Sequence, residues 1–265
     1  MNDYDELLTG ARLFSDFWAK ESHLLDRFRA LIHAKGVGVA AAVQHSCFAP
    51  LNEIVTETYI GCFSVHDESA EGCDLGRLSM WRGYGNVEAV ALILNTERFL
   101  ENDSPYNVFT YPVLYGDDRK FIFLIDEFVR HLETQLEGLR LLPDEDFVHI
   151  FKLFVEQMVL GFKHNGFVEE QEWRVVYRPL DRTSDQLERK FVSVNGQLQA
   201  IHTLPLENRI PGQEASFEIA DLTHKIIIGP CPNQKYLQRL FSELLESSGM
   251  SEPGSRVLNS GIPYR

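Results

Sequence analysis

The sequence predicts an α+β fold with a central, mostly antiparallel sheet flanked by helices. Three observations point there. Strand-like and helix-like runs do not alternate regularly, as a doubly wound parallel sheet requires. No glycine-rich phosphate loop follows a strand candidate. Asn195-Gly196 sits between two β-rich runs, a hairpin signal that joins antiparallel neighbours.

The elements follow in chain order. Ala11 to Lys35 reads as one amphipathic helix, with Phe14, Phe17, Trp18, Leu25, Phe28, Leu31 and Ile32 at helical spacing and a Lys35-Gly36 stop. Thr56 to Ser64 reads as a strand, followed by an acidic loop containing Asp67, Glu68, Glu71 and Asp74. Leu78 to Gly85 reads as an elbow before a second strand, Glu88 to Leu94, and Val108 to Tyr115 as a third. Two helices are expected at Asp118 to Arg140 and Asp144 to His164, parted by Leu141-Leu142-Pro143; acids in the first turn of the second suit its dipole. Glu172 to Tyr177 is a strand, then come the hairpin arms Lys190 to Val194 and Gln197 to Thr203. His224 to Ile228 is a buried-type strand. Gln234 to Glu246 is a closing helix with Tyr236, Leu237, Leu240, Phe241 and Leu244 expected inward, and Arg256 to Ser260 a short final strand.

With 265 residues, 44 % of them hydrophobic, the chain can bury a full core, and a single domain over 1–265 is expected. The net charge of −14 repels polyanions, so non-specific nucleic-acid binding is not expected. Apolar runs such as VGVAAAV and FIFLI are too short for a membrane span. The acidic start MNDYDELLTG is no signal peptide. The cysteines Cys47, Cys62, Cys73 and Cys231 are scattered without a C-x-x-C pair, which suggests reduced thiols in a cytoplasmic protein and no metal site.

Chemistry concentrates in GFVEEQEWRVVYR. Side chains two apart on a strand share a face, so Glu170, Glu172 and Arg174 are expected on one side. Two carboxylates and a guanidinium there suit stabilising a cation or orienting a sugar hydroxyl. The alternative is a solvated strand end with a salt bridge. Two carboxylates this close are expected to raise one pKa. Lys163 and His164 read as the basic end of a helix.

Several strings line up in order: Asn2-Asp3-Tyr4-Asp5-Glu6, Cys62-Phe63-Ser64, Met80-Trp81-Arg82-Gly83-Tyr84-Gly85, Gly166 through Arg174, Ile227-Ile228-Gly229-Pro230, and Ser260-Gly261-Ile262-Pro263-Tyr264-Arg265. Together they resemble the bacterial family catalogued as domain of unknown function 2971. That family's layout is similar to that of ADP-ribosyltransferases, which carry a hydroxyl residue on a middle strand and a glutamate, often E-x-E, on a later one. The resemblance implies an enzyme that transfers ADP-ribose from NAD to an unknown acceptor, in a setting such as phage defence or a toxin system. It also implies that an opening strand and helix present in family members is missing before Asn2, so this chain is expected to bind NAD weakly or not at all.

Under that resemblance Glu172 stabilises the cation-like ribose, Glu170 supports it or orients the acceptor, and Ser64 positions Glu172 or the ribose. Trp81 and Tyr84 stack on nicotinamide, while Arg82 and Arg174 meet polar or phosphate groups. In a version extended upstream, Glu172→Gln is then expected to slow nicotinamide release about 100-fold or more with folding nearly intact. The competing reading is a non-catalytic binding or regulatory module that keeps the fold. In it Trp81 and Tyr84 are packing residues and Arg174 simply pairs with Glu172.

Overall fold

A computed structural model describes residues 4–48, 51–69, 72–85, 87–95, 106–194, 196–203 and 222–264. Asn2, Asp3, Glu71, Asn195 and Arg265, named above, lie outside them. The chain opens with helices α1 (Tyr4–Ala19), α2 (His23–Ile32), α3 (Val37–Cys47) and α4 (Leu51–Thr56). Next come β1 (Tyr59–Ser64), α5 (Leu78–Tyr84), β2 (Val90–Leu94), β3 (Val108–Pro112) and β4 (Leu114–Gly116). Three helices follow, α6 (Asp118–Thr134), α7 (Leu136–Leu141) and α8 (Asp144–Leu160). Then come β5 (Phe162–His164), a 3-10 segment Asn165–Glu170, and β6 (Glu172–Tyr177). The chain closes with β7 (Glu188–Val194), β8 (Gln197–Thr203), β9 (Thr223–Ile228), α9 (Gln234–Ser247), α10 (Pro253–Arg256) and β10 (Val257–Asn259).

The class is α+β, but the expected central sheet is not found among the described residues. The strands form four small sheets, ordered β1-β6-β3, β10-β9-β2, β4-β5 and β7-β8. Antiparallel pairing joins β2 to β9 and β7 to β8, while β4–β5 and β9–β10 are parallel. Contacts divide the chain into two units, Met1–Phe63 with Phe109–Arg182, and Ser64–Val108 with Thr183–Arg265. No helix among the described residues is long and apolar enough to cross a membrane.

The first unit is built on phenylalanine. Phe14, Phe28, Phe121, Phe147 and Phe151 are fully buried in one cluster with Leu25, Ile32, Ile125 and Val155. Gly10 lets α1 lie directly on α8. A Cβ there would stand 2.2 Å from the Val159 carbonyl oxygen, so only glycine permits this approach.

The run Ala11 to Lys35 is two helices rather than one. Ser22 is extended, at φ −159°, and its hydroxyl accepts from the Leu25 N–H. That cap restarts the helix after the break at Lys20-Glu21. Val108 to Tyr115 is likewise two strands, in two sheets. Pro112 has no N–H to continue a ladder. Beyond it the Leu114 N–H bonds to the Gly161 carbonyl at 2.7 Å, and the chain pairs with β5. The helix expected to reach His164 stops at Leu160. A Cβ at Gly161 would stand 2.7 Å from the Gln157 oxygen and 3.0 Å from the Tyr111 ring, so the chain turns there and enters β5. Helix α3 has no counterpart among the expected elements. Its VGVAAAVQHSC run lacks the apolar-polar periodicity that marks an amphipathic helix.

In the second unit Ile226, Ile228, Cys231, Leu245, Met250 and Val257 make a smaller core with Leu237 and Phe241. Helix α9 therefore turns Leu237, Phe241 and Leu245 inward. Tyr236, Leu240 and Leu244, expected inward, are exposed. The two sets are adjacent stripes on one helix, and the sequence marks both as apolar. The segment expected as an elbow at Leu78 to Gly85 is α5, a helix.

Candidate functional site

Strand β6 carries the expected E-x-R pattern, but its face points inward. Glu172, Arg174 and Val176 are all buried, alternating with half-buried Trp173 and Val175. The strand is fixed at its first residue. The Glu172 N–H donates to the Tyr115 hydroxyl at 2.8 Å, and its carbonyl accepts from the Val113 N–H at 2.9 Å.

Glu170 is not on this strand, contrary to expectation. It ends the 3-10 segment, and Gln171 at φ 42° turns the chain through a left-handed conformation into β6. Both carboxylates nevertheless reach the same cation, Lys163. Its Nζ lies 2.6 Å from Glu170 Oε2 and 3.1 Å from Glu172 Oε2. Arg174 Nε donates to Glu172 Oε1 at 2.7 Å, and another of its nitrogens donates to the Leu160 carbonyl at the end of α8. The Phe167 ring lies 4.7 Å from the Lys163 ammonium. Side-chain exposure is 3 % for Lys163, 4 % for Glu172 and 2 % for Arg174, against 14 % for Glu170. Two acids and two bases thus meet in one largely buried group. Lys163 is its hub, not the helix-end residue the sequence suggested, because α8 ends three residues earlier.

Burial alone would raise the Glu172 carboxyl. The hydrogen bonds from Arg174, Cys62 and Lys163, with the Arg174 charge, outweigh burial and hold it below its ordinary value. The expected raised carboxylate is therefore not Glu172, because Arg174 and Lys163 bond its two oxygens directly. Cys62 on β1 responds in the opposite sense. Burial and its hydrogen bond to the Glu172 carboxylate push the thiol up to about 12.

A second ion-pair group lies in the same unit. Arg178 pairs with Glu156 and, at 2.6 Å, with Asp181. Lys152 meets Asp181 at 2.8 Å and Glu156 at 3.7 Å. The Tyr111 hydroxyl is buried and, among the described residues, has no hydrogen-bond partner; burial pushes its pKa up. No sequence motif marks this group. Its members are spread from 152 to 181, and they meet only in the folded chain.

The other expected site residues belong to the second unit. Ser64, at the end of β1, is exposed, and its hydroxyl lies 4.0 Å from the Met80 sulfur. Strand β1 neighbours β6, but the β1 side chain that bonds Glu172 is Cys62. Trp81 is a packing residue. Its indole N–H donates to the Leu75 carbonyl at 3.0 Å. Its ring fills the space left by Gly76 and Gly229, where a Cβ would stand 2.7 Å and 2.8 Å from it. Arg82 and Tyr84 are exposed on α5. Among the described residues no group of three or more His, Cys, Asp or Glu side chains is placed to hold a metal ion. The residues around Glu172, as placed, do not present an open carboxylate to an NAD ribose.

One family model matches the chain. It is described as protein of unknown function (DUF2971) and covers residues 80–175. The match takes in Met80 to Gly85 and the whole Glu170–Glu172–Arg174 pattern, and supports the family resemblance over that stretch, which is less than half of the chain. No curated protein and no solved structure matches.

Proposed function

We propose that this chain is a non-catalytic binding or regulatory module in which Glu172 and Arg174 hold the fold around a polar site. The observation that carries this reading is the state of Glu172. Its two carboxylate oxygens accept from buried cations at 2.7 and 3.1 Å, and its side chain is 4 % exposed. A carboxylate that stabilises a cation-like sugar has to present an oxygen to the ribose and keep an uncompensated field there. Arg174 and Lys163 supply the opposite charge at closer range than any ribose carbon would stand. The geometry therefore suits a lock between β5, β6 and α8.

A specific observation favours a second reading, an ADP-ribosyltransferase acting on NAD and an unknown acceptor. The Cys62-Phe63-Ser64 strand and the Glu172 strand are neighbours in one sheet, and Glu172 is held ionised, as that chemistry needs. One experiment separates the two. Nicotinamide release from NAD is followed for the wild type, alongside the urea stability of the wild type and Glu172→Gln. The module reading expects no release and a large loss of stability in Glu172→Gln. Release by the wild type that disappears in a folded Glu172→Gln protein would establish the transferase instead.

A further inference from the structure

We infer that helix α9 carries a self-complementary face that docks, antiparallel, on α9 of a second copy of this chain, with Leu240 at the two-fold axis. This goes beyond the binding-module reading and does not depend on it.

One face of α9 is fixed inward. Leu237, Phe241 and Leu245 pack in the core of the second unit. On the same side Gln238 Nε2 donates to the Val257 carbonyl at 2.8 Å, and Gln238 Oε1 accepts from Asn259 Nδ2 at 2.8 Å. Gln234 Nε2 donates to the Gly229 carbonyl at 2.9 Å. Rolling the helix to bury another face would break these bonds to β10 and to the turn after β9. The face left outside carries Tyr236, Leu240 and Leu244, which are 59 %, 38 % and 56 % exposed. Spaced four apart, they form one stripe about 12 Å long. A contiguous exposed apolar stripe points to an interaction surface, where scattered single residues would not.

The charges beside the stripe say what covers it. Lys235 and Arg239 stand in the first half of the helix and Glu243 and Glu246 in the second, all exposed. Helix stability does not account for that order. The macrodipole favours acids in the first turn and bases in the last, and α9 has neither. The Arg239–Glu243 pair, 3.0 Å apart, has its base N-terminal to its acid, the weaker of the two orientations.

An antiparallel copy does account for it. Turned about Leu240, Tyr236 faces Leu244 of the second copy and Leu240 faces its counterpart. The same turn sets Lys235 opposite Glu246 and Arg239 opposite Glu243. The offset from ideal register is at most two residues, about 3 Å along the axis, which lysine and arginine side chains span. At about 100° per residue the four charges lie on one flank of the stripe, and in an antiparallel pair like flanks meet. The patch is thus its own complement in apolar spacing and in charge, as a two-fold contact requires. The net charge of −14 opposes association of two copies, and a 14-residue helix is a small interface, so the dimer is a weak one.

Sedimentation equilibrium of the full chain from about 1 to 300 µM spans the affinities expected of so small an interface. The wild type should pass from monomer toward dimer within that range. Leu240→Lys, which sets two ammonium groups against each other at the axis, should stay monomeric throughout. Arg239→Glu faces acid with acid and should weaken the dimer about tenfold or more. Arg239→Glu combined with Glu243→Arg keeps the net charge and restores the opposition, so it should return to within about threefold of wild type. Circular dichroism and the urea midpoint check that each variant is folded. Arg239 and Glu243 are exposed, so their variants carry the test if Leu240→Lys does not fold. A wild type that is monomeric across the range, a dimer that survives Leu240→Lys, or an exchanged double variant no tighter than Arg239→Glu would overturn the inference. In the first case the stripe takes a different partner, and in the second the copies meet through another face.

Discussion

Glu172→Gln removes one negative charge from a buried part of the first unit. The amide keeps the shape of the side chain but cannot neutralise Arg174 and Lys163, which are 2 % and 3 % exposed. Breaking a buried pair by removing one partner typically costs about 3–5 kcal/mol, a factor of roughly 10² to 10³·⁵ in the folding equilibrium. An exposed pair such as Arg239–Glu243, 73 % and 57 % exposed, would barely register by comparison. This overturns the sequence-based expectation that Glu172→Gln leaves folding nearly intact. The assay is urea unfolding of wild type, Glu172→Gln, Lys163→Met and the double variant. The double variant should recover part of the loss, with a coupling of about 1–3 kcal/mol, because Lys163→Met removes the excess cation. The pH dependence supplies an independent sign. Glu172 has a folded pKa below its ordinary 4.5. Its contribution is therefore fully present above about 4.5 and lost as pH falls through the folded value. Wild type should lose stability below pH 4.5 more steeply than Glu172→Gln. A single variant within about 1 kcal/mol of wild type, with additive double-variant behaviour and parallel acid profiles, would refute the buried lock.

Three further outcomes are expected. Gly10→Ala places a methyl group 2.2 Å from the Val159 oxygen and should lower stability by about 1–3 kcal/mol, read as a reduced urea midpoint with an unchanged slope. Gly229→Ala pushes against the Trp81 ring at 2.8 Å; it should change tryptophan fluorescence and destabilise the second unit, whereas a native-like spectrum would dismiss the packing role of Trp81. The Cys62 thiol, pushed up to about 12 from an ordinary 9.0, should alkylate at pH 8 on the order of 100-fold more slowly than an unhindered thiol. A folded Glu172→Gln protein should react faster at Cys62, and an unchanged rate would show that the carboxylate does not control the thiol.

Much of the local structure was legible in the sequence. The β6 boundaries, Glu172 to Tyr177, came from a β-rich run bounded by a polar turn. The start of α8 at Asp144 came from Pro143 and three acids in the first turn. The β7–β8 hairpin came from Asn195-Gly196, with Gly196 at φ 80°. These features depend on neighbours along the chain, so the chain alone specifies them. The amphipathic pattern also placed Phe14, Phe28, Leu25 and Ile32 in a core before any partner helix was known.

What the sequence left open was which side of β6 meets the rest of the protein. Period-two alternation assigns Glu172 and Arg174 to one face but cannot say whether that face opens to solvent or closes on another element. The tertiary structure decided it. Gly161 ends α8 early, β5 pairs with β4, and Lys163 arrives under Glu172 from nine positions earlier. The same packing gave Cys62, not Ser64, the hydrogen bond to Glu172, and set Trp81 between two glycines 153 residues apart in the chain, Gly76 and Gly229. Charges on a strand acquire their meaning from the dielectric around them and from the partner they face. Both are properties of the packed chain, fixed only when distant segments come together.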